Sequence, residues 1–204
     1  MHYLNETPFK IAFGVLLVVM GIIRAYFGAD LRGYLRTRRL VKRRPARRRY
    51  GEILFFLLGL VLFVVTLLYL FTSRLDPFHI PLPAWLRWTG GLISLLGNLL
   101  LWRAHAALGK CWSLLPEILV GHTLVTSGPY RYIRHPMYAS WFLMTAGISL
   151  LLANWLVAVS YLSNAALMYC TRATQEEELL IEEFGDAYRE YMKKTGRVLP
   201  RLRG

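Results

Sequence analysis

Of the 204 residues, 55% are hydrophobic and only 18% are charged, with a formal net charge of +13. A water-soluble domain of this length carries more charge and rarely holds several apolar runs of membrane length. The composition therefore excludes an ordinary soluble enzyme and points to one all-α integral membrane domain.

Phe9 to Phe27 is the first apolar run of membrane length, with Lys10 at its start and Arg24 near its end. No basic residues lead into it, and no small-x-small cleavage site precedes the arginines that follow, so it reads as a retained helix rather than a cleaved signal. Arg24 lies within a turn of the expected cytoplasmic edge, where a long side chain can snorkel to water. Between Asp30 and Glu52 stand ten Lys or Arg and no acid. Basic clusters bind nucleic acid in soluble domains. Set between two apolar segments, this one marks the cytoplasmic side and an anionic-lipid contact instead. No nucleic acid partner is expected.

Ile53 to Phe71 forms the second span. Thr72 to Pro83, with three prolines and one Arg, has the composition of an outside loop. Trp85 to Trp102 is the third span, with Trp at both interfaces and Gly90, Gly91 and Gly97 allowing close helix contact. Met137 to Cys170 is then almost continuously apolar. As one helix it would reach about 51 Å, against a hydrocarbon core of about 30 Å. It must fold back, and Ala153-Asn154 is the natural reversal point. Five transmembrane helices result, the last two a hairpin, with the N-terminus outside and the C-terminus cytosolic. Neither Cys111 nor Cys170 belongs to a CxxC or Cys/His cluster, so no disulfide and no metal site is indicated. Cys170 reads as a small buried apolar residue.

The polar threshold of the hairpin is SGPYRYIRHPMY, Ser127 to Tyr138. Gly128-Pro129 is a turn, and Pro136 suits the first position of a helix, where its missing N–H had no partner. The free N–H groups of that helix end attract carboxylates. Beyond Cys170, Arg172 and Glu176 are four apart and share a helix face, and Gly185 ends that helix. From spacing alone this is a charged surface helix with routine ion pairs.

The segment GHTLVTSGPYRYIRHPMYASWF and the later RATQEEELLIEEFGDAYREYMKKTGRVLP resemble the isoprenylcysteine carboxyl methyltransferase family. The signatures are Arg134-His135-Pro136-Met137-Tyr138, then Glu176-Glu177-Glu178, Phe184-Gly185, Tyr188, Tyr191 and Pro200. The likeness implies a cytosolic S-adenosylmethionine pocket, released as S-adenosylhomocysteine, at the hairpin end and closed by the C-terminal helical tail. It implies a nucleoside side lined by His122, Thr123, Leu124, Val125 and Tyr130, and a methionine side lined by His135, Pro136, Met137 and Tyr138. It also implies an ammonium anchor at Glu176, or one residue on at Glu177, and Arg172 orienting the acceptor's carboxylate. Residues 1–102 would then be three N-terminal spans with an Arg-rich loop at 28–52. Residues 103–204 would be the catalytic half, with the hairpin at 136–170 and the tail at 171–204.

A carboxylate is already ionised at neutral pH, so its methylation needs alignment and dehydration rather than a base. The implied acceptor is an isoprenylcysteine-like small molecule or prenylated peptide entering from the bilayer. Three other readings stand beside it: a phospholipid or other lipid N-, O- or S-methyltransferase, a nicotinamide-dependent membrane reductase, and a non-enzymatic lipid-binding bundle.

Overall fold

A computed structural model describes residues 6–28, 41–43, 49–113 and 116–201. Most of the Arg-rich loop, and with it the expected anionic-lipid contact, lies outside the described residues. The helices are α1 (Thr7–Gly28), α2 (Arg49–Phe71), α3 (Ala84–Leu108), α4 (Pro136–Leu152), α5 (Trp155–Phe184) and α6 (Asp186–Lys194). One short ladder was not anticipated: β1 (Val41–Arg43), inside the basic loop, pairs antiparallel with β2 (Ile118–Leu119).

Thr7–Phe27 and Ala84–Cys111 are long and apolar enough to cross a membrane, and Leu57–Phe71 and Pro136–Leu152 are shorter apolar helices. The outward side of α3 carries Trp88, Leu92, Leu95, Leu99 and Trp102, all exposed at helical spacing. In water such a continuous apolar stripe would be an association surface. α3 runs six residues past its expected end at Trp102, because Arg103 and His105 stop the hydropathic run without stopping the helix. Gly109, at φ 49°, caps it.

The closest helix contact is α3 against α4. A Cβ on Gly90 would come within 2.6 Å of the Gly147 carbonyl oxygen, and one on Gly97 within 2.6 Å of Met144 Cγ. The backbones therefore touch, as small residues permit in lipid-facing bundles. The hairpin reverses where expected. Ala153 takes the left-handed conformation, and the Asn154 side chain accepts from the Val157 N–H at 3.2 Å while donating to the Leu75 carbonyl at 2.7 Å. At the same end Arg87, fully buried, grips Glu6 with two bonds of 2.7 Å and donates from Nε to the Leu151 carbonyl at 2.9 Å. This ion pair ties α1, α3 and the hairpin turn together. Cys170 is exposed on α5 rather than buried, because its face of the helix turns away from α4.

Gly90→Val places branched carbons where the α4 backbone lies, and overpacking of this kind costs about 1–3 kcal/mol. Chemical unfolding in detergent should show that loss, and an unchanged midpoint would contradict the contact.

Candidate active site

The hairpin brings its two ends, His135 and Arg172, to one side of the molecule, and the tail returns across them. His135 caps α4, whose first residue is Pro136. The backbone N–H groups of Arg134 and His135 donate to the carbonyls of Gly196 (2.8 Å) and Arg197 (2.9 Å). Tyr191 of α6 donates to the Tyr130 carbonyl at 2.6 Å. The threshold loop and the tail are thus stitched into one unit by main-chain bonds and the Tyr191 hydroxyl.

Glu177 sits at the centre of this unit, 4% exposed. Arg134 Nε donates to its Oε1 at 3.0 Å, His135 Nε2 lies 3.2 Å from the same oxygen, and Arg197 Nη2 donates to its Oε2 at 2.5 Å. Arg134 also donates to the carbonyls of Met192 (3.0 Å) and Thr195. Burial opposes ionisation of Glu177, but His135, Arg197 and Arg134 outweigh it and bring the pKa down from 4.5 to about 2. Burial likewise pulls His135 down, and the carboxylates of Glu176 and Glu177 outweigh that and raise it above 6.5.

Glu176 is placed differently. Its side chain is 32% exposed, accepts from the Tyr138 hydroxyl at 2.5 Å and lies 3.6 Å from His135 Nδ1. It borders a cavity of about 300 Å³. Of the residues singled out from the sequence, His122, Thr123, Leu124, Val125, Tyr130, His135, Met137, Tyr138, Arg172 and Glu176 all line that cavity. Pro136 and Glu177 do not; both lie behind the wall. Thr123 Oγ1 is 3.6 Å from Cys111 Sγ. His122 is held below its usual pKa by burial, against the opposing charge of Glu183. Tyr130 is pushed well above its usual value by burial and by the charge of Glu176.

Other wall residues escaped the sequence reading. Trp112 and Glu117 belong to no readable motif, Trp141, Leu179 and Leu180 lie in the quoted segments without a role assigned to them, and Arg24 of α1 had a sufficient explanation as a snorkelling residue. Only the fold shows that Arg24 turns into the cavity. Tyr188 and Tyr191 also reach it, so the tail forms part of the wall.

A cavity of this kind, with the carboxylates of Glu117 and Glu176, aromatic hydroxyls and cations on a mostly apolar wall, suits a small zwitterionic molecule. Residues 91–182 match the Isoprenylcysteine carboxyl methyltransferase (ICMT) family. That stretch runs from α3 to within three residues of the end of α5 and contains most of the cavity wall. Over 122 residues, 59% of this chain, the sequence is 36% identical to a human protein-S-isoprenylcysteine O-methyltransferase, matching 43% of that protein. The corresponding Xenopus laevis protein is 37% identical over 122 residues, matching 42% of its length. The Schizosaccharomyces pombe one is 37% identical over 79 residues, matching 34%. The matched stretch is thus less than half the length of these curated relatives. The structure of a eukaryotic intramembrane Ras methyltransferase, ICMT, superposes with a TM-score of 0.61 at 23% identity, covering 95% of this chain and 67% of that one. The fold is shared with an intramembrane enzyme.

Breaking a buried ion pair by removing one partner costs about 3–5 kcal/mol, so Glu177→Gln should destabilise the protein on that scale. Glu176→Gln should cost less than about 1 kcal/mol, as for partly exposed pairs. The pH dependence has a defined sign. Because the folded-state pKa of Glu177 is depressed, its contribution is present above 4.5 and is lost as pH falls toward about 2. His135 acts in the opposite sense, its contribution being present below 6.5 and fading as pH rises through its raised value. Unfolding midpoints between pH 2 and 5 should fall less steeply for Glu177→Gln than for wild type. Equal slopes would contradict the assignment.

Proposed function

We propose that this protein transfers a methyl group from S-adenosylmethionine to the carboxylate of a lipophilic, isoprenylcysteine-like acceptor held in the membrane. The observation that carries the reading is the division of labour between adjacent glutamates. Glu177 is consumed by three cationic side chains behind the wall, whereas Glu176 faces the cavity with Tyr138 and His135 beside it.

The donor set fits the cofactor. Glu176 is the anionic partner for its ammonium group, and the free N–H groups at the α4 N-terminus, beside the positive charge of His135, would face its carboxylate. His122, Thr123, Leu124, Val125 and Tyr130 would flank the nucleoside, with Met137 and Tyr138 on the methionine side. When bound, S-adenosylmethionine supplies a sulfonium methyl that passes to the nucleophilic oxygen while the C–S electron pair stays on sulfur, leaving S-adenosylhomocysteine. The protein's own task is to orient and to dry. Arg172, four residues before Glu176 on α5, would hold one acceptor oxygen and leave the other free. The apolar wall of Trp141, Met168, Leu179 and Leu180 excludes water, which strengthens every electrostatic contact inside.

In this reading α1, α2, α3, α4 and the apolar part of α5 are five membrane spans. The N-terminus lies outside and the cavity, α6 and the tail lie in the cytosol. Lys and Arg concentrate in the 28–52 loop and beyond Arg103, which supports that orientation under the positive-inside rule. The acceptor's apolar part would enter from the bilayer.

Calorimetric titration of S-adenosylmethionine into detergent-purified protein tests the reading. Saturable binding with a Kd on the micromolar scale is expected, weakened at least about 100-fold in Glu176→Ala through loss of a charge-assisted contact. No binding by folded wild-type protein would overturn it.

A further inference from the structure

We infer that Gly59 of α2 sets how large a hydrocarbon chain the acceptor can carry, by keeping open a second cavity beside the reaction site; this rests on the methyl-transfer reading above. The second cavity has a volume of about 230 Å³ and is lined from α1, α2, α4 and α5. α2 contributes Gly59, Leu62, Phe63 and Thr66, which repeat at i, i+3, i+4 and i+7, so one face of that helix is turned to the cavity. α1 packs mainly on α3 and α4, and α2 on α5, which leaves the space between α1 and α2 to the cavity. Gly59 and Phe63 are both exposed, so it opens at the apolar surface of the bundle.

The hydroxyls on this wall are already used. Thr66 donates to the Leu62 carbonyl at 2.8 Å and lies 2.7 Å from the Tyr161 hydroxyl, and Thr145 donates to the Trp141 carbonyl at 2.9 Å. A space that offers water no partners stays dry and takes apolar guests. Trp141 connects it to the chemistry. That side chain lines both cavities, and Tyr138, three residues earlier on α4, is bonded to Glu176. From Trp141 to Ile148 the α4 wall runs about 10 Å away from the reaction site. An acceptor with its carboxylate in the first cavity can therefore lay its chain past Trp141 into the second.

A glycine inside a helix is less favourable than an alanine, and elsewhere in this bundle the exception has a visible reason. Gly90, Gly97 and Gly147 lie against the backbone of a neighbouring helix, whereas a Cβ on Gly59 would meet no atom within 4 Å. Gly14 and Gly21 of α1 are equally open, but neither borders these two cavities. The missing side chain at position 59 thus leaves room inside the cavity rather than between helices. A larger residue there fills that room from the α2 face without displacing any neighbour. Gly59 lies outside the matched stretch of residues 91–182.

The test uses the full-length protein in detergent, with Gly59→Phe beside wild type and Leu60→Phe as control. Leu60 is 59% exposed and off the cavity wall, so its replacement adds a ring outside the cavity. The acceptors are N-acetyl-S-farnesylcysteine and its shorter S-geranyl analogue. In Gly59→Phe the farnesyl-to-geranyl ratio of kcat/KM should fall at least about tenfold, the lower end of what one methylene is worth in an apolar pocket. S-adenosylmethionine affinity should not change, and Leu60→Phe should keep the wild-type ratio. The ratio compares two substrates on one protein, so a loss of folded enzyme would not move it. An unchanged ratio in Gly59→Phe, as when bilayer hydrocarbon alone fills the cavity, would overturn the inference and leave the methyl-transfer reading intact. An equal shift in Leu60→Phe would do the same. A wild type that binds no cofactor, or methylates neither acceptor, would instead remove both.

Discussion

Everything at this end of the molecule depends on one buried carboxylate. Glu177 accepts from Arg134 and Arg197 and pairs with His135, so a single side chain on α5 fixes the threshold of α4 and the returning tail at once. Buried charges of this kind are tolerated only when desolvation is matched by several good partners. Here the partners come from two separate stretches of chain, the threshold of α4 and the tail. Their convergence ensures that His135, Tyr138 and Glu176 meet across the cavity. Its neighbour Glu176, by contrast, is partly exposed on the cavity wall.

The opposite end is organised by the same physics. Arg87, stacked 3.5 Å over the Phe9 ring and paired with Glu6, locks α1 to α3 and to the reversal at Ala153. Between these two polar knots the helices meet through glycine, most closely at Gly90 and Gly147. The bundle is pinned at both ends and close-packed in the middle. Arg24, close to the cavity end of α1, therefore has a fixed position relative to Arg172 on α5.

Much of this was legible in the residues. The hairpin followed from length alone, because a nearly continuous apolar stretch of thirty-four residues is too long to cross a bilayer once, and Ala153-Asn154 supplied the reversal. The signature around Arg134-His135-Pro136 and the i,i+4 pair Arg172 and Glu176 pointed to the cavity that the structure shows. Which glutamate faces it was not legible. Three consecutive acids have the same composition in any register, and only the returning tail, with Arg197, separates Glu177 from Glu176. The place of Arg24 on the cavity wall was not legible for a similar reason. A cation near a helix end satisfies a general rule about snorkelling, and the sequence does not record which way its side chain turns. The ladder between β1 and β2 depends on a tertiary pairing of two short segments that carry no strand pattern of their own.

The most direct test of this account is a structure of the protein determined with S-adenosylhomocysteine bound. The account predicts the ligand's ammonium within hydrogen-bond distance of Glu176, with Glu177 still engaged by Arg134, His135 and Arg197. An ammonium on Glu177, or a ligand outside the cavity bounded by His122, Tyr138 and Glu176, would contradict it.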